Sequence, residues 1–136
     1  MYKDTVTVFN RYGGSWRGVV LNGVDLNADR AMVVQRYGEH ATDRALLHIK
    51  YESKNNGYYI GSLLYVEPNS YAGDGITFQE GNNMSFFMEG VAPIMTADDD
   101  DYTDGFLDFM NANYNVYVIS SVARYSVIPH FEITGR

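Results

Sequence analysis

The sequence contains no cysteine, so disulfide scaffolds, cysteine-type zinc sites and thiol catalysis are excluded. Basic residues are scarce: 10 Lys plus Arg stand against 17 Asp plus Glu, a net charge of −7, with a pI near 4.7. A protein that grips nucleic-acid phosphates needs a basic face, which this balance disfavours. Prolines number only 3, and no low-complexity linker divides the chain. No apolar run approaches the ~20 residues of a membrane helix. The opening Met1-Tyr2-Lys3-Asp4-Thr5 has no apolar stretch after its lysine, so a secretory signal is not expected and synthesis is expected to leave the chain inside the cell. Repeats at a period of about 20–50 residues are also missing.

What remains is a chain of 136 residues, 46% hydrophobic and 20% charged. That is a globular mix, and the length fits one domain over 1–136. Aromatics are abundant: 12 Tyr and 7 Phe raise their share to 15%. Tyrosine buries a broad face while its hydroxyl keeps a polar partner. Its abundance fits a sheet-rich core, an extensive subunit interface, or both.

Period-two alternation predicts strands over Tyr2–Asn10, Trp16–Leu21, Ala45–Glu52, Asn115–Tyr125 and Phe131–Thr134. Shorter ones are expected over Tyr58–Ile60, Leu63–Val66, Ile76–Gln79 and Ser85–Val91. Gly13-Gly14, Asn22-Gly23 and Asn56-Gly57 read as reversals. Val24–Gly38 fits two descriptions equally: a short helix capped by Asn27, or an extended loop. One helix is expected over Asp101–Asn113, where Tyr102, Phe106, Phe109 and Met110 share a face. Asp98, Asp99, Asp100 and Asp101 precede it, at the positive end of the helix dipole. The fold class is therefore mainly β: a small β-barrel or sandwich of short antiparallel strands, with one inserted α-helix near 99–113.

Candidate chemistry is thin. A calcium loop aligned on Gly105 finds Asp100 and Asp104 in place, but Tyr102 and Asn111 stand where carboxylates belong. His40, His48 and His130 show no metal-ligand spacing, and His48 reads as a half-buried strand residue. No serine sits in a nucleophile elbow or beside an evident base. Gly13-Gly14 lacks the Gly-Lys-Ser/Thr continuation of a phosphate loop. No catalytic, cofactor-binding or metal residue is assigned, and an enzyme is not expected.

The order of features resembles a family of small virion proteins of tailed phages and prophages, the minor capsid, head–tail connector or head-closure (stopper) proteins. Thr5-Val6-Thr7-Val8-Phe9-Asn10-Arg11-Tyr12 looks like the family's first strand. Trp16-Arg17-Gly18-Val19-Val20-Leu21-Asn22-Gly23-Val24 looks like its aromatic-led second strand. Thr42-Asp43-Arg44-Ala45-Leu46-Leu47-His48-Ile49 looks like the third, and Val118–Val122 with Pro129–Gly135 looks like the closing pair. The Asp-rich helical insertion, 98–113, departs from the pattern, since many stoppers have only a short connection there.

The resemblance implies a virion protein of the neck, present in the host cytoplasm during assembly. It would form a ring with neighbouring copies, with portal and adaptor proteins above and tail proteins below. The ring would close or narrow the channel, which DNA passes without specific binding. A tail-completion or other minor head protein, or a Tyr-rich binding module outside phages, is the alternative. In stoppers the segment between the second and third strands points into the channel. Here it spans Asn27–Asp43, with Asn27, Asp29, Arg30, Arg36, Tyr37 and Glu39 as candidate channel residues, and it is expected to be mobile in the isolated chain. Asp98–Asp101 are the candidate contact for a partner's basic patch. The free chain is expected to associate weakly, through Tyr-rich strands and sheet edges.

Overall fold

Gly13 and Gly14 adopt positive φ, 60° and 82°, and so supply the left-handed reversal that the first hairpin needs. In the computed structural model, which describes residues 2–28, 44–81 and 83–136, this reversal joins β1 (Asp4–Tyr12) to β2 (Ser15–Asn27). Next in chain order come β3 (Ala45–Lys50), β4 (Glu52–Lys54), β5 (Gly57–Ile60), β6 (Leu63–Leu64), β7 (Phe86–Glu89) and β8 (Thr96–Asp98). The helix α1 (Phe106–Asn113), β9 (Val116–Tyr125) and β10 (His130–Gly135) follow, with short 3-10 turns at Pro68–Ser70 and Asp99–Asp101.

Asn22-Gly23 is not a turn, as its composition suggests, but a bulge inside β2. Thr5 pairs with Asn22 and Asp4 with Val24, which leaves Gly23 as the extra residue at φ 69°. The extra residue shifts the alternation, so Val24 joins Val19 and Leu21 in the same core. Beyond the bulge β2 changes partner: Asp25, Leu26 and Asn27 pair with His48, Leu47 and Leu46 of β3. Val24–Asn27 is therefore strand; from Asp29 on the segment, and with it the choice between helix and loop, lies outside the described residues.

Six strands then close on themselves in the order β1, β7, β9, β10, β3, β2 and back to β1, every pairing antiparallel. Among the described residues the fold is a six-stranded barrel with one α-helix. β8 adds to the start of β2, and β4, β5 and β6 form a separate three-stranded sheet. The β4–β5 reversal uses Asn55 and Asn56, at φ 52° and 62°, as a tight left-handed turn.

Strand alternation divides the apolar residues between two cores. Val6, Val8, Leu47, Ile49, Phe87 and Ile133 fill the barrel. Phe9, Phe86 and Val116 face outward and are buried beneath α1, with Phe106 and Met110 above them. Phe9 stacks on Phe86 at 4.7 Å, and Phe106 meets Phe9 edge-on at 5.4 Å. The tyrosines divide likewise: Tyr51, Tyr71 and Tyr117 are buried, while Tyr12, Tyr114 and Tyr125 are exposed.

Several expected elements are shorter than their patterns: Leu63–Val66 keeps strand only over Leu63–Leu64 and Ser85–Val91 only over Phe86–Glu89, and two others shorten for a visible reason. The helix begins at Phe106 rather than Asp101, because Gly105 at φ 91° separates it from a 3-10 turn over Asp99–Asp101. The expected strand Ile76–Gln79 keeps one bridge, Ile76 to Tyr65. After it, side chains replace the ladder. Thr77 N–H donates to Asn10 Oδ1 at 3.1 Å, and the Gln79 amide bonds both backbone groups of Arg11, at 3.0 and 2.9 Å. Ser85 Oγ accepts from Asn10 Nδ2 and from Gln79 N–H.

The interior leaves little room for added volume. A Cβ on Gly135 would lie 2.8 Å from Tyr117 Cβ and 3.0 Å from two Phe87 ring carbons. Gly135→Ala is predicted to cost about 1–3 kcal/mol in denaturant unfolding. Gly57→Ala, whose one tight approach is to the tip of the exposed Leu64 at 2.9 Å, is predicted to cost clearly less.

Candidate functional site

The Asp-rich segment packs on the β1–β2 hairpin. Its N-terminal part pairs as β8 with Ser15–Arg17, and Asp99 N–H donates to Gly14 O at 2.8 Å. The Asp99 carboxylate is thereby turned toward three elements. Arg11 reaches Oδ2 through Nε at 2.9 Å and Nη2 at 2.8 Å. Trp16 Nε1–H donates to Oδ1 at 2.7 Å, and Phe106 N–H at 3.0 Å. Partial burial alone would raise its pKa, but the bonds from Phe106, Trp16 and Arg11 outweigh that and hold it below the usual carboxylate range. Asp99 thus satisfies one of the unpaired N–H groups at the start of α1 while neutralising Arg11.

The four aspartates of the candidate partner contact therefore differ in kind. Asp98 accepts from the Ser15 hydroxyl, and Asp99 is a structural bond centre rather than a free contact. Asp100 and Asp101 are exposed. With Asp104, Arg11 and Trp16 they border an open cleft of about 540 Å³. Among the described residues no group of three or more His, Asp or Glu is arranged to hold a metal ion.

A second titratable group lies on the outer wall. Cross-strand register sets Asp25 of β2 against His48 of β3, and His48 against Glu132 of β10. His48 Nδ1 is 3.9 Å from Asp25 and Nε2 is 3.8 Å from Glu132. His130 Nε2 lies 3.0 Å from Glu132, and its Nδ1 bonds the Ile128 carbonyl at 2.6 Å. Tyr125 stacks on the His130 ring at 5.0 Å. An acceptor at each nitrogen favours the imidazolium. Burial opposes it, but Ile128 and Glu132 outweigh burial and raise the His130 pKa. Sequence spacing could not show this group, because it is made by register between β3 and β10. His40 lies outside the described residues.

Four of the serines serve the fold. Ser15 bonds Asp98, Ser85 is buried against Asn10 and Gln79, and Ser120 and Ser121 bond Thr134. Of the candidate channel residues, Asn27 ends β2 opposite Leu46. Asp29, Arg30, Arg36, Tyr37 and Glu39 lie outside the described residues, and the expected mobility of that segment lies there too. Where the chain re-enters the barrel, Arg44 acts as a latch. Its backbone N–H donates to Gly135 O at 2.7 Å, its Nη2 donates to Val116 O at 2.9 Å, and its guanidinium lies over the Tyr117 ring at 4.8 Å.

One surface escapes the sequence reading. β9 and β10 pair out to Tyr125 opposite His130, and the tip between them carries Val127 at 96% exposure and Ile128 at 74%, beside Tyr125 at 46%. A signal was present. The tip Ser126-Val127-Ile128-Pro129 has none of the Gly, Asn or Asp common in solvated hairpin turns. Comparison of the chain with family models, curated proteins and solved structures returns no match.

Removing the Asp99 acceptor leaves Trp16, Phe106 N–H and Arg11 without their partner. Asp99→Ala is predicted to lose roughly 2–3 kcal/mol in denaturant unfolding, whereas Asp100→Ala and Asp101→Ala stay within about 0.5 kcal/mol of the parent. Because the folded pKa of Asp99 is lowered, its contribution is present above the unfolded carboxylate range and is lost as pH falls through the folded value. Asp99→Asn should therefore flatten the acid limb of stability against pH.

His130 behaves in the opposite sense. Its folded pKa is raised, so its contribution is complete below the unfolded value of 6.5 and is lost as pH rises through the folded one. Urea titrations across that window should show the parent losing stability on the alkaline side. Glu132→Gln should lose less of it there.

Proposed function

We propose that the chain is a structural protein of the head–tail interface of a tailed phage or prophage. In this reading it is a ring-forming subunit that closes or narrows the DNA channel and offers a docking face to the tail. The observation that carries the reading is the bare apolar tip of the β9–β10 hairpin, where Val127 and Ile128 are the most exposed large apolar side chains among the described residues, on a chain that buries most of its described large apolar groups in two cores. Such a tip suits a subunit whose surface is completed by a neighbour. The sequence resemblance to head-closure proteins supplies the kind of assembly.

Four further features support it. Closing the six-stranded barrel leaves those strands no free edge, and the remaining edges, β8, β4 and β6, are only two or three residues long, which favours joining through projections over strand addition. Asp99, Ser85 and the His130–Glu132 pair are engaged in hydrogen bonds within the fold. The segment assigned to the channel is tied at both ends, by Asn27 paired with Leu46 and by Arg44 bound to Val116 and Gly135. A net charge of −7 lets such a subunit line a DNA channel without holding the DNA.

The test is genetic and biochemical. In the phage or induced prophage that encodes the chain, purified virions should contain it in multiple copies per particle by quantitative mass spectrometry. A nonsense mutation early in its gene should yield filled heads that leak DNA and lack tails. Its absence from purified virions, or tailed infectious particles at parental yield from the nonsense mutant, would overturn the proposal.

A further inference from the structure

The exposed hairpin tip and the face of α1 lie at opposite ends of β9. Helix α1 ends at Asn113, two residues before β9 begins, and the tip follows its last residue, Tyr125. Ten residues of strand at about 3.3 Å each separate them by roughly 30 Å. The tip cannot reach α1 of its own copy, but it can reach that of another.

The two surfaces are complementary. Beside α1 is a shallow groove of about 340 Å³, floored by Tyr102, Phe109 and Ala112 and rimmed by Asp101, Asp104 and Asp108. Tyr102 and Phe109 stand 4.7 Å apart, both half-buried, and form an aromatic floor. Residues 98–108 carry six aspartates and no Lys or Arg. The tip, Arg124-Tyr125-Ser126-Val127-Ile128-Pro129-His130, carries no carboxylate in a chain where acids outnumber bases. Two aliphatic side chains, flanked by an Arg124 that also donates to Tyr51 Oη and a His130 that is also held by Glu132 of its own copy, thus meet an apolar floor with an acidic rim.

We propose that the β9–β10 tip of one copy seats Val127 and Ile128 in the Tyr102–Phe109–Ala112 groove of the next copy. The contact joins two different patches, so it is head-to-tail and propagates around a ring or along a helix rather than stopping at a dimer. It deepens the head–tail reading and rests on it for the ring, but its geometry is testable alone. It also gives the Asp-rich insertion a role: Asp101, Asp104 and Asp108 receive a neighbouring copy's tip. One small patch against the repulsion of two chains at −7 makes the contact weak in the free chain, which suits a ring that forms on a template.

The absence of cysteine from the chain makes disulfide trapping clean. The full-length double variant Val127→Cys/Ala112→Cys, oxidised at high protein concentration, should give a ladder of dimers, trimers and larger species on non-reducing gels. Each single variant should stop at a small dimer fraction. Adding Asp104→Lys and Asp108→Lys should cut the ladder at least five-fold while circular dichroism keeps the parental spectrum. Two results would overturn the contact: equal dimer from Val127→Cys alone, which means tip-to-tip pairing, or no species beyond dimer from the double variant. Rings of the chain visible in isolated necks without this cross-link would also end the contact and leave the head–tail reading standing. A ladder from a chain missing from virions would keep the contact and end that reading.

Discussion

Barrel closure depends on β2 having two partners in succession. Its first part pairs with β1 and its last three residues pair with β3. A regular strand cannot do this without pointing its apolar side chains to the wrong face at one end. The extra residue at Gly23, with the positive φ that glycine tolerates, resets the alternation and bends the strand around the barrel corner. Val24 then faces the same interior as Leu21. From that closure follow the lack of free edges among the six barrel strands and the adjacency of β3 and β10. The Asp25–His48–Glu132 arrangement follows in turn.

The outer wall poses a second problem, which the Asp-rich insertion answers. Phe9 and Phe86 point away from the barrel interior and need cover. Helix α1 provides it, yet eight residues are too few to be stable alone in water. Packing of Phe106 and Met110 supplies part of the difference. The Asp99 carboxylate supplies another part by binding β1, β2 and the first N–H of α1 at once. The run of aspartates therefore combines one carboxylate that holds the fold with others that face solvent, and only the latter are available to a partner.

Much of this was legible in the sequence. Alternation located the barrel strands, Gly13-Gly14 and the Asn55–Gly57 region marked the reversals, and the Phe106–Met110 spacing marked the helix. What was not legible depends on partners distant in sequence. Asn22-Gly23 has the composition of a turn, and only pairing with Thr5 and Asp4 makes it a bulge. Ile76–Gln79 alternates like a strand, but the Asn10 and Gln79 amides take over the ladder. The four aspartates look alike as text, and tertiary packing alone singles out Asp99. The hairpin tip was readable in principle, since Val127 and Ile128 stand where polar turn residues are expected.

The central claim is that the bare tip, the acidic groove and the tied segment between β2 and β3 are parts of one subunit in a neck ring. A cryo-electron-microscopy reconstruction of the neck of the encoding particle, sharpened to side-chain detail, tests it most directly. The account predicts a ring of roughly six-fold or twelve-fold symmetry below the portal and its adaptor. Each subunit should show the six-stranded barrel, residues 29–43 turned toward the lumen, and Val127 and Ile128 covered by the next copy. A neck whose density is accounted for by other chains, or a ring of this chain with residues 29–43 on its outer surface and the hairpin tips still in solvent, would contradict it.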